Sequence, residues 1–210
     1  MTINRIVFCL IIVLSLFAIY CSTLIGMIWD DVWHHFGGAL RFDYLKSFGQ
    51  FNKLKGGDLQ FYPGLYDTFS FVIGNFLVNI FSGDVMEIKH LINLIFSFSA
   101  LIGLFLVSKK IFNKEVAYLA ILMCLVNPFF FGHMSMNPKD NIISFALIWF
   151  AYSVYMYCVN FEKKRFGFLI LASLFMGFGL GTRVSFFAIT IPIILSAIIF
   201  LILNNKKYQN

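Results

Sequence analysis

Long apolar runs separated by brief polar punctuation organise this chain. The runs Ile6–Ile28, Leu91–Val107, Val116–Phe131, Asn141–Val159, Phe166–Thr182 and Val184–Leu203 match or approach the roughly 20 residues that an α-helix needs to cross ~30 Å of hydrocarbon. Gly64–Phe81 breaks the pattern. It carries Asp67, Thr68, Ser70, Asn75 and Asn79, and its clean apolar core from Phe69 is only 13 residues, a length that suits an interfacial or re-entrant segment. Upstream, Phe36–Leu54 sets Leu40, Tyr44, Phe48 and Phe51 at helical spacing among Arg41, Lys46, Lys53 and Lys55. That is the pattern of a basic amphipathic helix lying in the interface. The pattern predicts an all-α polytopic membrane protein. It would have about six transmembrane helices, plus interfacial helices in a long first outer loop over about 29–89, in one module spanning 1–210.

Composition strengthens this reading. Hydrophobic residues make up 60% and charged residues 12%, with a mean hydropathy of +0.85, whereas a soluble domain carries about 25% charged residues. The net charge of +6 is not a nucleic-acid signature, because Lys and Arg fall in short patches between apolar runs, where they set orientation. Nucleic acid is therefore not an expected partner. Cys9, Cys21, Cys124 and Cys158 all lie inside apolar runs without paired spacing, as small buried hydrophobes do. Ile6–Ile28 is too long for a signal-peptide core and lacks an A-x-A site, and Ala18-Ile19-Tyr20-Cys21 makes a poor lipobox. An uncleaved first helix is expected.

Two orientations compete. If Gly64–Phe81 does not cross, Arg5, Lys109, Lys110, Lys114, Lys163, Lys164, Arg165, Lys206 and Lys207 share the inner face, nine of the sixteen basic residues. If it crosses with the N-terminus outside, twelve share it. The first model is preferred, since its inner charges sit in short loops where the positive-inside rule is reliable, and snorkelling explains the charges of the interfacial helix. The N-terminus is then cytoplasmic. Asp30, Asp31, His34, His35, the loop Gly132–Asp140 and Arg183 all face outward.

Those residues are the candidates for chemistry. Trp29-Asp30-Asp31-Val32-Trp33-His34-His35 puts two carboxylates side by side at a membrane edge, where ionised groups lose hydration. Desolvation raises a carboxylate's basicity, which suits a general base; the alternative is a pair of solvated loop acids. His34 and His35 have the composition of half a metal site but neither the H-x-x-x-H nor the H-E-x-x-H spacing. In the second loop, Asn137-Pro138 makes a turn before Lys139 and Asp140. Lys139 suits a phosphate or an interfacial anchor, and Asp140 suits a site acid or a helix N-cap. His133 suits packing or a ligand. Arg183, after Gly177-Phe178-Gly179-Leu180-Gly181-Thr182, is an interface anchor or an anion contact. Tyr62-Pro63-Gly64-Leu65-Tyr66-Asp67 is a kinked aromatic entry or an interfacial anchor.

In order along the chain come a first helix, an acidic pair with downstream His, an amphipathic outer loop and Tyr-Pro-x-Leu-Tyr. Then follow Asn-Pro-Phe-Phe-Phe-Gly-His, Asn-Pro-Lys-Asp and Gly-x-Gly-Thr-Arg. The series resembles the N-terminal membrane module of the GT-C glycosyltransferases, in the protein-mannosyltransferase and aminoarabinose-transferase-like branch. Asp30-Asp31 stands where that group usually has Asp-Glu, so the resemblance gives Asp30 the base role and Asp31 the second place. It maps the group's second-loop acid onto Asp140. It maps the His-Pro-Pro-Leu-Tyr-Tyr motif loosely onto Tyr62–Asp67, where the His and one Pro are missing.

The resemblance implies an inverting transfer of a sugar from a polyprenyl-phosphate donor to a lipid, glycan or protein acceptor on the outer side of the cell (inner) membrane. Asp30 and Asp31 would be catalytic, and His34, Tyr62, His133, Asn137, Lys139, Asp140 and Arg183 would bind substrate. No organic cofactor is implied; a divalent cation stays open. Members of the group are longer, so the chain is expected to be the N-terminal part of a longer enzyme, a split half or a degenerate copy. The alternatives are a transporter or flippase subunit for a lipid-linked or anionic solute, and a non-catalytic partner of a larger transferase.

Overall fold

The structure, a computed structural model, describes residues 3–51, 59, 61–160 and 165–207. Among the described residues it is all-helical: α1 (Ile3–Leu24), α2 (Trp29–Lys46), α3 (Leu65–Phe81), α4 (Val85–Ile111), α5 (Lys114–Val126), α6 (Pro128–Met136), α7 (Asp140–Val159), α8 (Arg165–Thr182) and α9 (Phe186–Lys207). Arg5–Leu24, Val85–Ile111, Asp140–Val159 and Phe186–Leu203 are long and apolar enough to cross a membrane, and α5 with α6 makes a fifth if a bent pair counts as one span. Phe166–Thr182, expected as a sixth span, and Leu65–Phe81 are shorter apolar helices. The all-α, multi-pass architecture is thus the expected one.

Polar caps decide where helices stop. The run Val116–Phe131, read as one span, bends by 73° at Asn127. The Asn127 side chain there accepts from the Phe129 and Phe130 amides, at 2.9 and 3.2 Å, and Pro128 opens the next helix. Pro has no amide to continue α5 but suits a first turn. Most of the expected loop Gly132–Asp140 is consequently helix α6. The first helix ends at Leu24 rather than Ile28. The amphipathic helix begins at Trp29 instead of Phe36 and ends at Lys46, so the acidic string is its first turn. The Leu54 end expected for that helix, and Lys53, Lys55, Lys163 and Lys164, lie outside the described residues.

Helix α4 is the centre of the bundle, packed by α1, α3, α5, α6 and α7. One apolar core joins Ala18, Leu94, Leu101, Ile121, Leu125 and Met134. A second joins Tyr66, Ile92 and Ile142 and continues into a ring cluster in which Phe96 meets Phe145 edge-on at 4.8 Å and stacks on Phe178 at 5.9 Å. Outside these cores α1 and α9 leave most side chains exposed, as lipid-facing helices do.

Helix α3 lies against α2 through a glycine contact. A Cβ on Gly38 would stand 2.3 Å from the Asp67 carbonyl oxygen, so only glycine lets the two backbones meet there. Halfway along α3, Gly74 receives the aliphatic stem of Lys89. His90 binds Asp31 and Asp67 binds His34, three residues apart on α2, about 5 Å of helix rise. The start of α3 and the second turn of α4 therefore sit at one level. Helix α3 runs beside the head of α4 and does not carry Asp67 to the far end of the bundle.

Candidate functional site at one end of the bundle

The polar side chains of α2 divide by burial. Asp31 is 6% exposed. Its Oδ2 accepts from His90 Nε2 at 2.9 Å and from the Ile28 amide at 2.9 Å. The second bond closes the open amide at the head of α2, as a first-turn acid does in a capping box. Burial disfavours ionisation of this carboxyl. The hydrogen bonds from His90 and Ile28, with positive charge at His90 and Lys89, outweigh burial and hold its pKa below the ordinary aspartate value. Asp30, its neighbour, is exposed, and its side chain has no hydrogen bond or ion pair among the described residues.

One turn further, His34 Nδ1 hydrogen-bonds Asp67 Oδ1 at 2.8 Å, and Arg41 Nη1 reaches Asp67 Oδ2 at 3.4 Å. Arg41 is buried. Its Nη2 also donates to the carbonyls of Leu59 (2.8 Å) and Tyr62 (2.9 Å), so the expected interfacial charge instead ties Leu59 and Tyr62 to α2. His35 Nδ1 lies 3.4 Å from Lys89 Nζ. Burial, and then the neighbouring Lys89 ammonium, lowers the His35 pKa.

The second constellation is held by Asn137. Its Oδ1 accepts from the amides of Lys139 (3.0 Å) and Asp140 (2.8 Å). Its Nδ2 donates to Asp140 Oδ2 at 2.9 Å and approaches His133 Nδ1 at 3.2 Å. Asn137, not Asp140, thereby satisfies the amides at the head of α7. Asp140 is left to pair with Arg183 Nη1 at 3.1 Å, both side chains being substantially exposed. Lys139 Nζ sits 5.4 Å from the centre of the Tyr62 ring, a cation–π contact.

These contacts make one polar belt. From Asp31–His90 it passes through His34–Asp67–Arg41 to Tyr62, then across the ring to Lys139 and on to Asp140–Arg183. Below it, Tyr66 hydrogen-bonds Asn93, Asn93 donates to the Ser135 carbonyl at 2.7 Å, Ser97 donates to the Met134 carbonyl at 2.8 Å, and Asn141 donates to the His133 carbonyl. Every candidate residue thus lies on one end of the molecule. The acidic pair and the Asp140–Arg183 pair occupy opposite ends of the belt and do not touch. Among the described residues no group of three His, Cys, Asp or Glu could hold a metal ion.

Sequence reasoning passed over His90 and Asn93. A signal was there: His90, Asn93 and Ser97 recur at helical spacing at the head of an apolar helix, and polar residues placed so face a protein interior.

Residues 69–210 match the family model described as dolichyl-phosphate-mannose-protein mannosyltransferase. The match takes in Lys89, His90, Asn93, the 133–141 segment and Arg183, while α2 and Tyr62–Asp67 precede it. No curated protein and no solved structure matches the chain significantly. With two thirds of its length in that match and its apolar helices gathered around α4, the chain belongs to the dolichyl-phosphate-mannose-protein mannosyltransferase family and is a multi-pass membrane glycosyltransferase of the GT-C type.

Proposed function

We propose that the chain transfers a sugar from a polyprenyl-phosphate donor to an acceptor hydroxyl on the outer face of the cell membrane, with Asp30 as general base. The observation that carries the assignment is the division of the acidic pair. A base must offer a free lone pair within hydrogen-bond reach of the proton it takes. Asp31 Oδ2 is committed twice and buried, whereas Asp30 is open.

In the step, the acceptor oxygen attacks the anomeric carbon as its proton passes to Asp30. The bond from that carbon to the phosphate oxygen breaks, and its electron pair leaves on the phosphate. Lys139 and Arg183 supply positive charge that draws the anionic donor to this end of the bundle. The Asp140–Arg183 pair suits this task because an exposed ion pair is worth at most about 1 kcal/mol and yields readily to a multiply charged anion. Tyr62, His133 and Asn137 shape the wall from which Lys139 projects, and His34 fixes α2 against Asp67. Apolar surface flanks the belt. A cleft between α2 and α3 is lined by Arg41, Leu45, Pro63, Leu65, Phe69 and Gly181, a suitable bed for the lipid part of a donor.

The test is sugar release from a panel of radiolabelled polyprenyl-phosphate sugars by the full chain in membrane vesicles. Asp30→Asn is expected to abolish release with insertion unchanged. A wild-type rate in that variant removes Asp30 from the mechanism.

A further inference from the structure

The imidazole of His90 is fully buried, and its Nδ1 has no hydrogen-bond partner among the described residues. Buried polar atoms are almost always satisfied, and an orphan costs about 1–3 kcal/mol. A leucine would fill the same space on α4 without that cost. What the imidazole adds is its other nitrogen, which donates to Asp31 Oδ2 at 2.9 Å.

That contact does two things to the acidic pair. It fixes the first turn of α2 to α4, the most enclosed helix of the bundle, while His34–Asp67 fixes the next turn to α3. The two attachments share one face of α2, three residues apart, so the helix can neither roll nor slide. The direction of Asp30 is set by that lock. It also places a hydrogen-bond donor on the buried carboxylate of the pair, so that Asp31 stays inside as the anchor and Asp30 stays outside. Left with the Ile28 amide alone, the buried carboxylate would be driven toward water and would turn the first helical turn with it.

We infer that His90 is a positioning residue of the transferase: by anchoring Asp31 to α4, it orients Asp30 toward the acceptor. This rests on the role proposed for Asp30. His90 touches no reacting atom, and its effect belongs in the chemical step rather than in donor binding, because Lys139 and Arg183 lie at the other end of the belt.

The experiment measures kcat and donor KM for the full chain in vesicles, with whichever polyprenyl-phosphate sugar the wild type consumes, together with thermal stability in detergent. Gln at 90 can place an amide N–H where Nε2–H stands; Leu cannot. His90→Leu is expected to lower kcat about 100-fold, the scale of an ångström of misplacement, with KM within about twofold. His90→Gln should restore most of kcat. Wild-type kcat in His90→Leu overturns the inference, and inactivity of Asp30→Asn beside it leaves the transferase reading standing. Equal losses in His90→Gln and His90→Leu that track loss of folded protein also overturn it, since His90 would then only support the fold. Consumption of no donor by the wild type overturns the transferase reading and this inference with it.

Discussion

Asp30 and Asp31 are chemically identical neighbours, and their surroundings alone separate them. Adjacent positions on a helix point about 100° apart, so one faces α4 and the other the open side. Removing the buried member, as in Asp31→Leu, leaves the His90 Nε2–H without an acceptor. A loss of about 1–3 kcal/mol is expected, read as a lower melting temperature in detergent, where Asp30→Asn should melt as the wild type does. His35 sets a second residue-scale expectation. Its pKa is lowered in the fold, so the unfolded chain binds more protons near the ordinary histidine value and stability rises with pH there. Melting temperature should therefore fall as pH drops through about 6.5. His35→Asn should flatten the fall in that window, and an unchanged slope would show that other groups cause it.

At the scale of elements, the site is an arrangement of helix heads. The first turns of α2, α3 and α7 and the second turn of α4 meet because each is held by a short-range device: Gly38 under Asp67, the Lys89 stem over Gly74, and the Asn137 cap on α7. Gly38→Ala introduces a Cβ where 2.3 Å separates it from a carbonyl oxygen. Overpacking of that kind costs about 1–3 kcal/mol. It should separate α2 from α3, and donor turnover should fall along with stability. Asn137→Ala removes two cap bonds and should cost about 1 kcal/mol, while freeing Asp140 from one of its two partners. Part of this was legible in advance: the Asn137-Pro138 turn ahead of α7 and the short polar-studded segment at Gly64–Phe81. Helix α6 was not, because a nine-residue helix between a proline and a cap carries too few turns for periodicity to register.

For the whole molecule, the belt gathers on one end, and the turn between α4 and α5 lies at the other. In a background without the four native cysteines, Cys placed at Asp30 or Asp140 should react with a membrane-impermeant maleimide from the same side. Cys placed at Phe112, exposed between α4 and α5, should react from the opposite side. Labelling of positions 30 and 140 from different sides would break the site apart.

The amino-acid pattern by itself determined the all-helical membrane architecture, because hydrophobic run length is a local property measured against a fixed bilayer thickness. It also marked nearly every polar residue of the belt, since a chain with 12% charged residues places few where they cost most. Which acid is buried and which is open, that His90 joins the pair, and that Asn137 rather than Asp140 caps α7 were decided only in three dimensions. Each depends on a partner from another part of the chain, or on the rotation of one helix against its neighbour. The separation between Asp31 and His90 is 59 residues along the sequence and one hydrogen bond across the fold.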